Sequence, residues 1–174
     1  MIDFRPVRLW KLVEPPEGHE KPVRPPKLGP RKSADYQANI RHWAALCDAP
    51  ISSDALQFMK SDTSLALRAA LVAKDEGCFH EFHDPMYSSR WAEPVDPSDR
   101  EHVRSLLEAA GLDGDAAMAK AESPELVERL ESDTDDAIKR GVFGLPTMFV
   151  GEEMFFGNDR FELVRYYLQQ ERSS

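Results

Sequence analysis

Cysteine is scarce in this sequence. The 174 residues contain two cysteines, Cys47 and Cys78, which lie far apart in the sequence. The chain therefore has no C-x-x-C pair, and this excludes redox chemistry that moves electrons through a closely spaced dithiol. We expect both thiols to lie in helices and to behave as small hydrophobic core residues.

Long apolar runs are also absent. The longest run is far short of the roughly 20 residues that a membrane-spanning helix needs, and no signal-peptide pattern opens the chain. We therefore expect a cytoplasmic protein without a membrane partner. His80 and His83 lie close together but have no third ligand, and their spacing is not that of the H-E-x-x-H motif. We therefore predict no metal site.

Basic charge is in deficit, and this argues against nucleic acid as a partner. The net charge is −9, whereas phosphate binding needs clustered lysine and arginine. The charge is uneven: residues 1–34 hold eight basic and four acidic residues, and residues 113–136 hold nine acidic and two basic residues. We interpret the acidic stretch as a solvated helix face and loop. The basic start fits either surface solubility or a pocket for an anionic ligand.

The length suits a single soluble domain with a proper core. Ile2–Leu9 alternates apolar and polar residues and predicts a strand, in which Pro6 disturbs the pairing. Six of the thirteen prolines fall in 14–30, which predicts a stiff loop. The next part of the chain predicts helices with starts near Arg31, Asp62-Thr63, Phe79, Ser98-Asp99 and Ser123-Pro124. The first of them, from Arg31 to about Leu46, carries an apolar stripe of Tyr36, Ile40, Trp43 and Leu46 or Cys47.

The segment Gly141–Arg160 is the most informative part of the chain. It predicts a helix end and a loop that closes on Leu145-Pro146, and then a hairpin of Thr147–Val150 and Glu153–Phe156. Asn158 or Asp159 then opens a helix to about Gln170 and is able to cap it. A proline directly before a core strand favours a cis bond that turns the preceding peptide toward a ligand.

These residues also carry a family resemblance. Gly-Val-Phe-Gly-Leu-Pro-Thr at 141–147 and Phe-Gly-Asn-Asp-Arg at 156–160 resemble the C-terminal signature of 2-hydroxychromene-2-carboxylate isomerases. That family is similar to kappa-class glutathione transferases and to DsbA-like oxidoreductases. The resemblance implies an α/β, thioredoxin-like fold with a large all-helical insertion. It assigns 1–13 and 141–174 to the thioredoxin-like part, 14–30 to the proline-rich loop and 31–140 to the insertion.

The resemblance also implies that the first strand–helix unit of the fold, about thirty residues, is missing. Met1-Ile2 already begins the part that resembles the second strand of the family. The family's nucleophilic serine belongs to the missing unit, so no catalytic residue is assigned within this sequence. Either the natural gene product starts upstream, which we favour, or Ile2–Leu9 moves into the vacant position in the sheet.

The implied function is a glutathione-dependent isomerase acting on 2-hydroxychromene-2-carboxylate or a similar aromatic carboxylate. The alternatives are a kappa-like glutathione transferase, or a non-catalytic thioredoxin-like binding module, and relatives of this fold often form homodimers. The implied glutathione contacts are Leu145, Pro146, Gly157, Asn158, Asp159 and Lys32. Trp91 and Phe58 either line an aromatic substrate pocket or belong to the core.

Overall fold

The computed structural model describes residues 2–13 and 29–171. The proline-rich loop predicted at 14–30 therefore lies almost wholly outside the described residues. The described part is mostly helical and carries one two-stranded sheet. Its α-helices are α1 (Leu9–Leu12), α2 (Pro30–Leu46), α3 (Ser64–Asp75), α4 (Phe79–Trp91), α5 (Arg100–Ala109), α6 (Gly114–Ala121), α7 (Pro124–Lys139) and α8 (Phe161–Glu171).

Local capping signals fix several helix starts. The side chain of Asp99 accepts hydrogen bonds from the backbone at the start of α5, and Ser123 accepts one at the start of α7, where Pro124 occupies the first position. Both starts confirm the sequence prediction. The short helix α6 was not predicted, although Asp113 caps it by accepting from the N–H of Ala116.

The main core lies among the helices. Helix α3 is alanine-rich and packs closely against α4, α5, α6 and α7 because its small side chains allow the backbones to approach. The largest fully buried side chains include Phe82, Leu71, Leu107, Met118 and Leu130. All the buried residues of this core belong to α3–α7, which together form the helical block.

The sheet is an antiparallel hairpin of β1 (Thr147–Val150) and β2 (Glu153–Phe156), as the sequence predicts. Phe155 is buried on one face, and its ring centroid lies 5.2 Å from that of Tyr167 in α8. On the other face Phe149 packs against a small cluster formed by Val7, Leu12 and Val142. The hairpin therefore packs against α8 on one face and, at Phe149, against the N-terminal segment on the other.

The predicted strand Ile2–Leu9 is wrong. Residues 2–8 have no assigned secondary structure, and the described sheet consists of β1 and β2 alone. A strand needs the ladder of a neighbouring strand, and no described strand pairs with this segment. The alternative in which Ile2–Leu9 moves into the sheet is therefore also wrong for the part of the chain that the structure describes.

Charged contacts fasten the N-terminal segment to α7. Arg8 pairs with Glu131, and Lys11 pairs with both Glu131 (2.8 Å) and Asp135 (2.7 Å). The backbone N–H of Arg8 donates to the buried hydroxyl of Thr134 across 3.2 Å. Basic residues near the start of the sequence thus form ion pairs with the acidic stretch 113–136, which was predicted to be a solvated helix face and loop.

Helix α2 confirms the predicted helix from Arg31 to Leu46, but its apolar stripe is not a core face. Tyr36, Trp43 and Leu46 are exposed, and no α2 side chain that the structure describes is buried. Cys47 at its end is also exposed, so its expected core position is wrong. Cys78 is partly buried, and this desolvation raises the pKa of its thiol.

No helix among the described residues is long and apolar enough to cross a membrane.

Candidate ligand-binding site

The loop before β1 begins at the hydrogen-bonded C-terminal end of α7. Arg140 is the last residue of the α7 turn, and Gly141 follows with φ of +86°. The N–H of Gly141 donates to the carbonyl of Ile138, and the N–H of Val142 donates to the carbonyl of Ala137. This is a Schellman motif, in which a left-handed glycine ends the helix and directs the chain into the loop 143–146.

Leu145 presents an open backbone edge. The Leu145-Pro146 bond is cis, which confirms the prediction. The side chain of Leu145 is exposed, and neither its N–H nor its C=O is hydrogen-bonded within the described part of the chain. The hydroxyl of Thr147 donates to the carbonyl of Gly144 (2.7 Å) and ties down the residue before Leu145. An extended peptide could therefore pair with both free groups of Leu145.

A turn after β2 lies directly beside this loop. The N–H of Gly157 donates to the carbonyl of Pro146 across 3.0 Å. Gly157 has φ of +108° and ψ of 149°, a conformation that is essentially restricted to glycine. A Cβ at Gly157 would lie only 2.6 Å from Oδ1 of Asp159. The fold thus brings together Pro146, Gly157 and Asp159, as the resemblance implies.

Asn158 and Asp159 form a short 3-10 turn, Asn158–Arg160, that leads into α8. The predicted helix start is confirmed, but the predicted cap is not observed, because Gly157 occupies the cap position and no side chain bonds there. Both side chains are exposed, and Asp159 is 3.5 Å from the guanidinium of Arg160. The carboxylate of Asp159 therefore remains accessible to a cationic group of a ligand.

The remaining predicted residues lie elsewhere. Lys32 is exposed on α2, and no hydrogen bond or ion pair joins it to the Leu145–Asp159 region in the described ranges. Trp91 ends α4, where its carbonyl accepts a hydrogen bond from the N–H of Ser52. Phe58 is half-buried in the segment between α2 and α3. The structure thus does not bring these three residues to the loop, and their proposed roles stay predictions.

Two aromatic residues that were not predicted as ligand contacts meet here, Phe143 in the loop and Phe156 at the end of β2. The rings of Phe143 and Phe156 are 4.7 Å apart and tilted by 56°. A Cβ at Gly144 would be 2.7 Å from Cε2 of Phe156, so this ring covers the backbone next to Leu145. Hairpin register could have indicated this, because Phe156 is the partner of Thr147.

Within the described residues, no cluster of three or more histidine, cysteine, aspartate or glutamate side chains could hold a metal ion.

Residues 2–169 match the family model described as a DSBA-like thioredoxin domain. The chain belongs to this DsbA-like family. A solved chain described as selenomethionine 2-hydroxychromene-2-carboxylate isomerase superposes with a TM-score of 0.73, over 97% of this chain and 79% of that chain, at 24% identity. The fold is therefore thioredoxin-like and α/β, which confirms the predicted class.

Curated relatives add sequence similarity. The 2-hydroxychromene-2-carboxylate isomerase of Sphingobium xenophagum is 34% identical over 131 residues, which cover 75% of this chain and 65% of that protein. Its counterpart from Pseudomonas sp. (strain C18) is 31% identical over 129 residues, 72% of this chain and 58% of that protein. Human glutathione S-transferase kappa 1 is 27% identical over 161 residues, 83% of this chain and 70% of that protein. The chain thus spans less than two thirds of the length of these curated isomerases.

Proposed function

We propose that this protein is a glutathione-dependent isomerase of 2-hydroxychromene-2-carboxylate or of a similar aromatic-catabolism intermediate. The observation that carries the proposal is the junction of the loop before β1 and the turn after β2, where the N–H of Gly157 donates to the carbonyl of Pro146. The similarity to curated isomerases supports the reaction class. The same proposal includes a cytoplasmic location and a homodimer. It also divides the chain into a thioredoxin-like part, 1–13 with 141–174, and a helical insertion, 31–140.

The residues at this junction fit a small γ-glutamyl peptide. The free N–H and C=O of Leu145 would pair with its central residue as a short antiparallel strand. The exposed carboxylate of Asp159 would accept a hydrogen bond from the α-amino group at one end of the peptide. Asn158 and the first N–H groups of the turn would bind the adjacent carboxylate. Lys32 is proposed for the opposite carboxylate.

Glutathione, when bound, would supply a thiol that adds reversibly to a conjugated enone and so allows rotation about the former double bond. The role proposed for this chain's residues is to hold the peptide backbone and its charged ends in one orientation. Fixing two ends of a flexible ligand lowers the entropic cost of reaching the reactive geometry.

The proposal is tested with the purified 174-residue chain and with a form extended upstream, if the gene encodes one. Isomerisation of 2-hydroxychromene-2-carboxylate is followed with glutathione, with S-methylglutathione and without either. We expect both peptides to bind, and turnover to require the free thiol. If glutathione fails to bind at millimolar concentration, or if turnover is independent of it, the proposal is wrong.

A second candidate is a kappa-like glutathione transferase, favoured by the sequence similarity to human glutathione S-transferase kappa 1, which covers more of this chain than the sequence matches to the two curated isomerases do. Parallel kinetics with the chromene acid and with 1-chloro-2,4-dinitrobenzene separate the two activities. A third candidate, a non-catalytic binding module, predicts a folded chain that is inert with both substrates. Any turnover by the purified 174-residue chain excludes that module.

A further inference from the structure

Arg140 is an exposed cation without a carboxylate partner among residues 2–13 and 29–171. Its guanidinium carbon lies 3.6 Å from the centre of the Phe149 ring. The chain carries 31 acidic residues against 22 basic ones, and Arg100, Arg104 and Arg129 each pair with a carboxylate. An arginine that is held on an aromatic ring and still unpaired is a ready site for an anion.

Arg140 is held in place by its surroundings. It is the cap residue of α7, where the partial negative charge of the helix end favours a cation. The Schellman motif through Gly141 and Val142 fixes the backbone on its far side. The ring of Phe149 is itself fixed by packing against Val7 and Val142. The position of the cation is thus set by the protein before a ligand arrives.

Phe156, whose ring contacts that of Phe143, lies on the same face of the hairpin as Phe149. Phe149 faces Met154 and Thr147 faces Phe156 in the β1–β2 register. Because side chains alternate between faces along a strand, these four residues share one face, and Phe149 and Phe156 are diagonal neighbours about 7–8 Å apart. Phe143 is 56% exposed and Phe156 is 42% exposed. An arginine and a pair of open rings therefore occupy one surface.

We infer that this surface is the subsite for the aromatic carboxylate substrate, with its ring against Phe143 and Phe156 and its carboxylate on Arg140. The inference rests on the proposed function, because it places the substrate next to Leu145, where the peptide would bind. The two parts of the surface contribute separately. A neutral aromatic ligand gains only the ring contacts, and an aliphatic carboxylate gains only the cation.

The test uses 2-naphthoate, its uncharged analogue 2-naphthamide and cyclohexanecarboxylate, with binding to the full chain measured by calorimetry. We expect 2-naphthoate to bind tightest. Arg140→Gln should weaken 2-naphthoate about tenfold, the typical loss for a hydrogen-bonded charge, and should leave 2-naphthamide unchanged. Arg140→Lys should recover part of the affinity because it keeps the charge. Phe156→Leu should weaken both naphthyl ligands.

Arg165→Gln is the matched control, since Arg165 is an exposed arginine on α8 that pairs with Glu162, and it should bind all three probes like the wild type. Circular dichroism melting confirms that each variant is folded. The inference is overturned if 2-naphthoate fails to bind at millimolar concentration or if Arg140→Gln binds it normally. Glutathione binding is measured in the same samples, and a wild type that does not bind glutathione would reject the proposed function instead.

Discussion

The backbone N–H of Gly157 donates to the carbonyl of Pro146 across 3.0 Å. This single bond joins the loop before β1 to the turn before α8, two segments that each offer groups to a ligand. It also continues the pairing of the hairpin beyond its last register pair, Thr147 and Phe156. The relative position of the free backbone of Leu145 and the carboxylate of Asp159 therefore depends on the conformation of one glycine.

Gly157→Ala should disturb this junction. The residue has φ of +108°, and a Cβ there would collide with the Asp159 carboxylate at 2.6 Å. We expect the free energy of unfolding to fall by about 1–3 kcal/mol, the usual cost of such a backbone conformation in a residue other than glycine. Glutathione affinity should fall as well, because Asp159 must move. Chemical denaturation and calorimetry measure the two effects.

Gly77→Ala provides the control, because Gly77 also has a positive φ, of +78°, but has open space around its Cβ position. This variant should lose stability and keep its affinity for glutathione. Equal loss of affinity in both variants would show that the effect comes from general destabilisation and not from the junction.

Asp159→Asn keeps the size of the side chain and removes its charge. If Asp159 accepts from the α-amino group of the peptide, affinity for glutathione should fall about tenfold. Asp136→Asn removes an exposed carboxylate that pairs with Lys139 on α7, and should leave the affinity unchanged. Unaltered binding by Asp159→Asn would remove this residue from the site.

The attachment of the N-terminal segment should weaken in acid. Hydrogen bonds from Lys11 and then Arg8 lower the pKa of Glu131 below its ordinary value of 4.5. Since the folded form has the lower pKa, this stabilisation is present above that value and is lost as the pH falls through the lowered one. Glu131→Gln should therefore be less stable than the wild type at about pH 7, and this difference should shrink toward about pH 3.

Denaturant unfolding at a series of pH values measures this difference. Glu128→Gln, at an exposed position of the same helix, should differ little from the wild type at every pH. A wild-type advantage over Glu131→Gln that does not change with pH would contradict the role of the ion pairs.

The two thiols should react at different rates. Cys47 is exposed, whereas Cys78 is partly buried and its pKa is raised chiefly by desolvation. Because the thiolate is the reactive form, Cys47 should react with a disulfide reagent roughly tenfold faster than Cys78. The single variants Cys47→Ser and Cys78→Ser assign the two phases. A faster reaction at Cys78 would contradict the described burial.

The sequence predicted those parts of the fold that depend on local signals. The hairpin Thr147–Val150 and Glu153–Phe156 is confirmed residue for residue, because its turn and apolar runs are short-range features. The strand predicted at Ile2–Leu9 is wrong, since alternation cannot show whether a partner strand is present. The stripe on α2 was recognised, but periodicity could not show that its apolar face is left exposed.

The candidate site was predictable only in part. Pro146, Gly157 and Asp159 were found because the resemblance supplies them together, and the structure brings them into one region. Arg140 and Phe156 were missed, because their significance depends on contacts between a helix end and two strands. A cation–π contact and an unpaired charge are three-dimensional properties that no spacing in the sequence reveals.

The central claim is that the free backbone of Leu145 and the carboxylate of Asp159 bind the central residue and the γ-glutamyl end, respectively, of one small thiol peptide. Its most direct test is amide NMR of the isotopically labelled 174-residue chain, titrated with glutathione and with the dipeptide Cys-Gly, which lacks the γ-glutamyl end. We predict that glutathione shifts the amides of Leu145, Gly157 and Asp159 together, and that Cys-Gly shifts Leu145 but not Asp159. The absence of glutathione-dependent shifts at these amides, or shifts confined to the helical block, would contradict the claim.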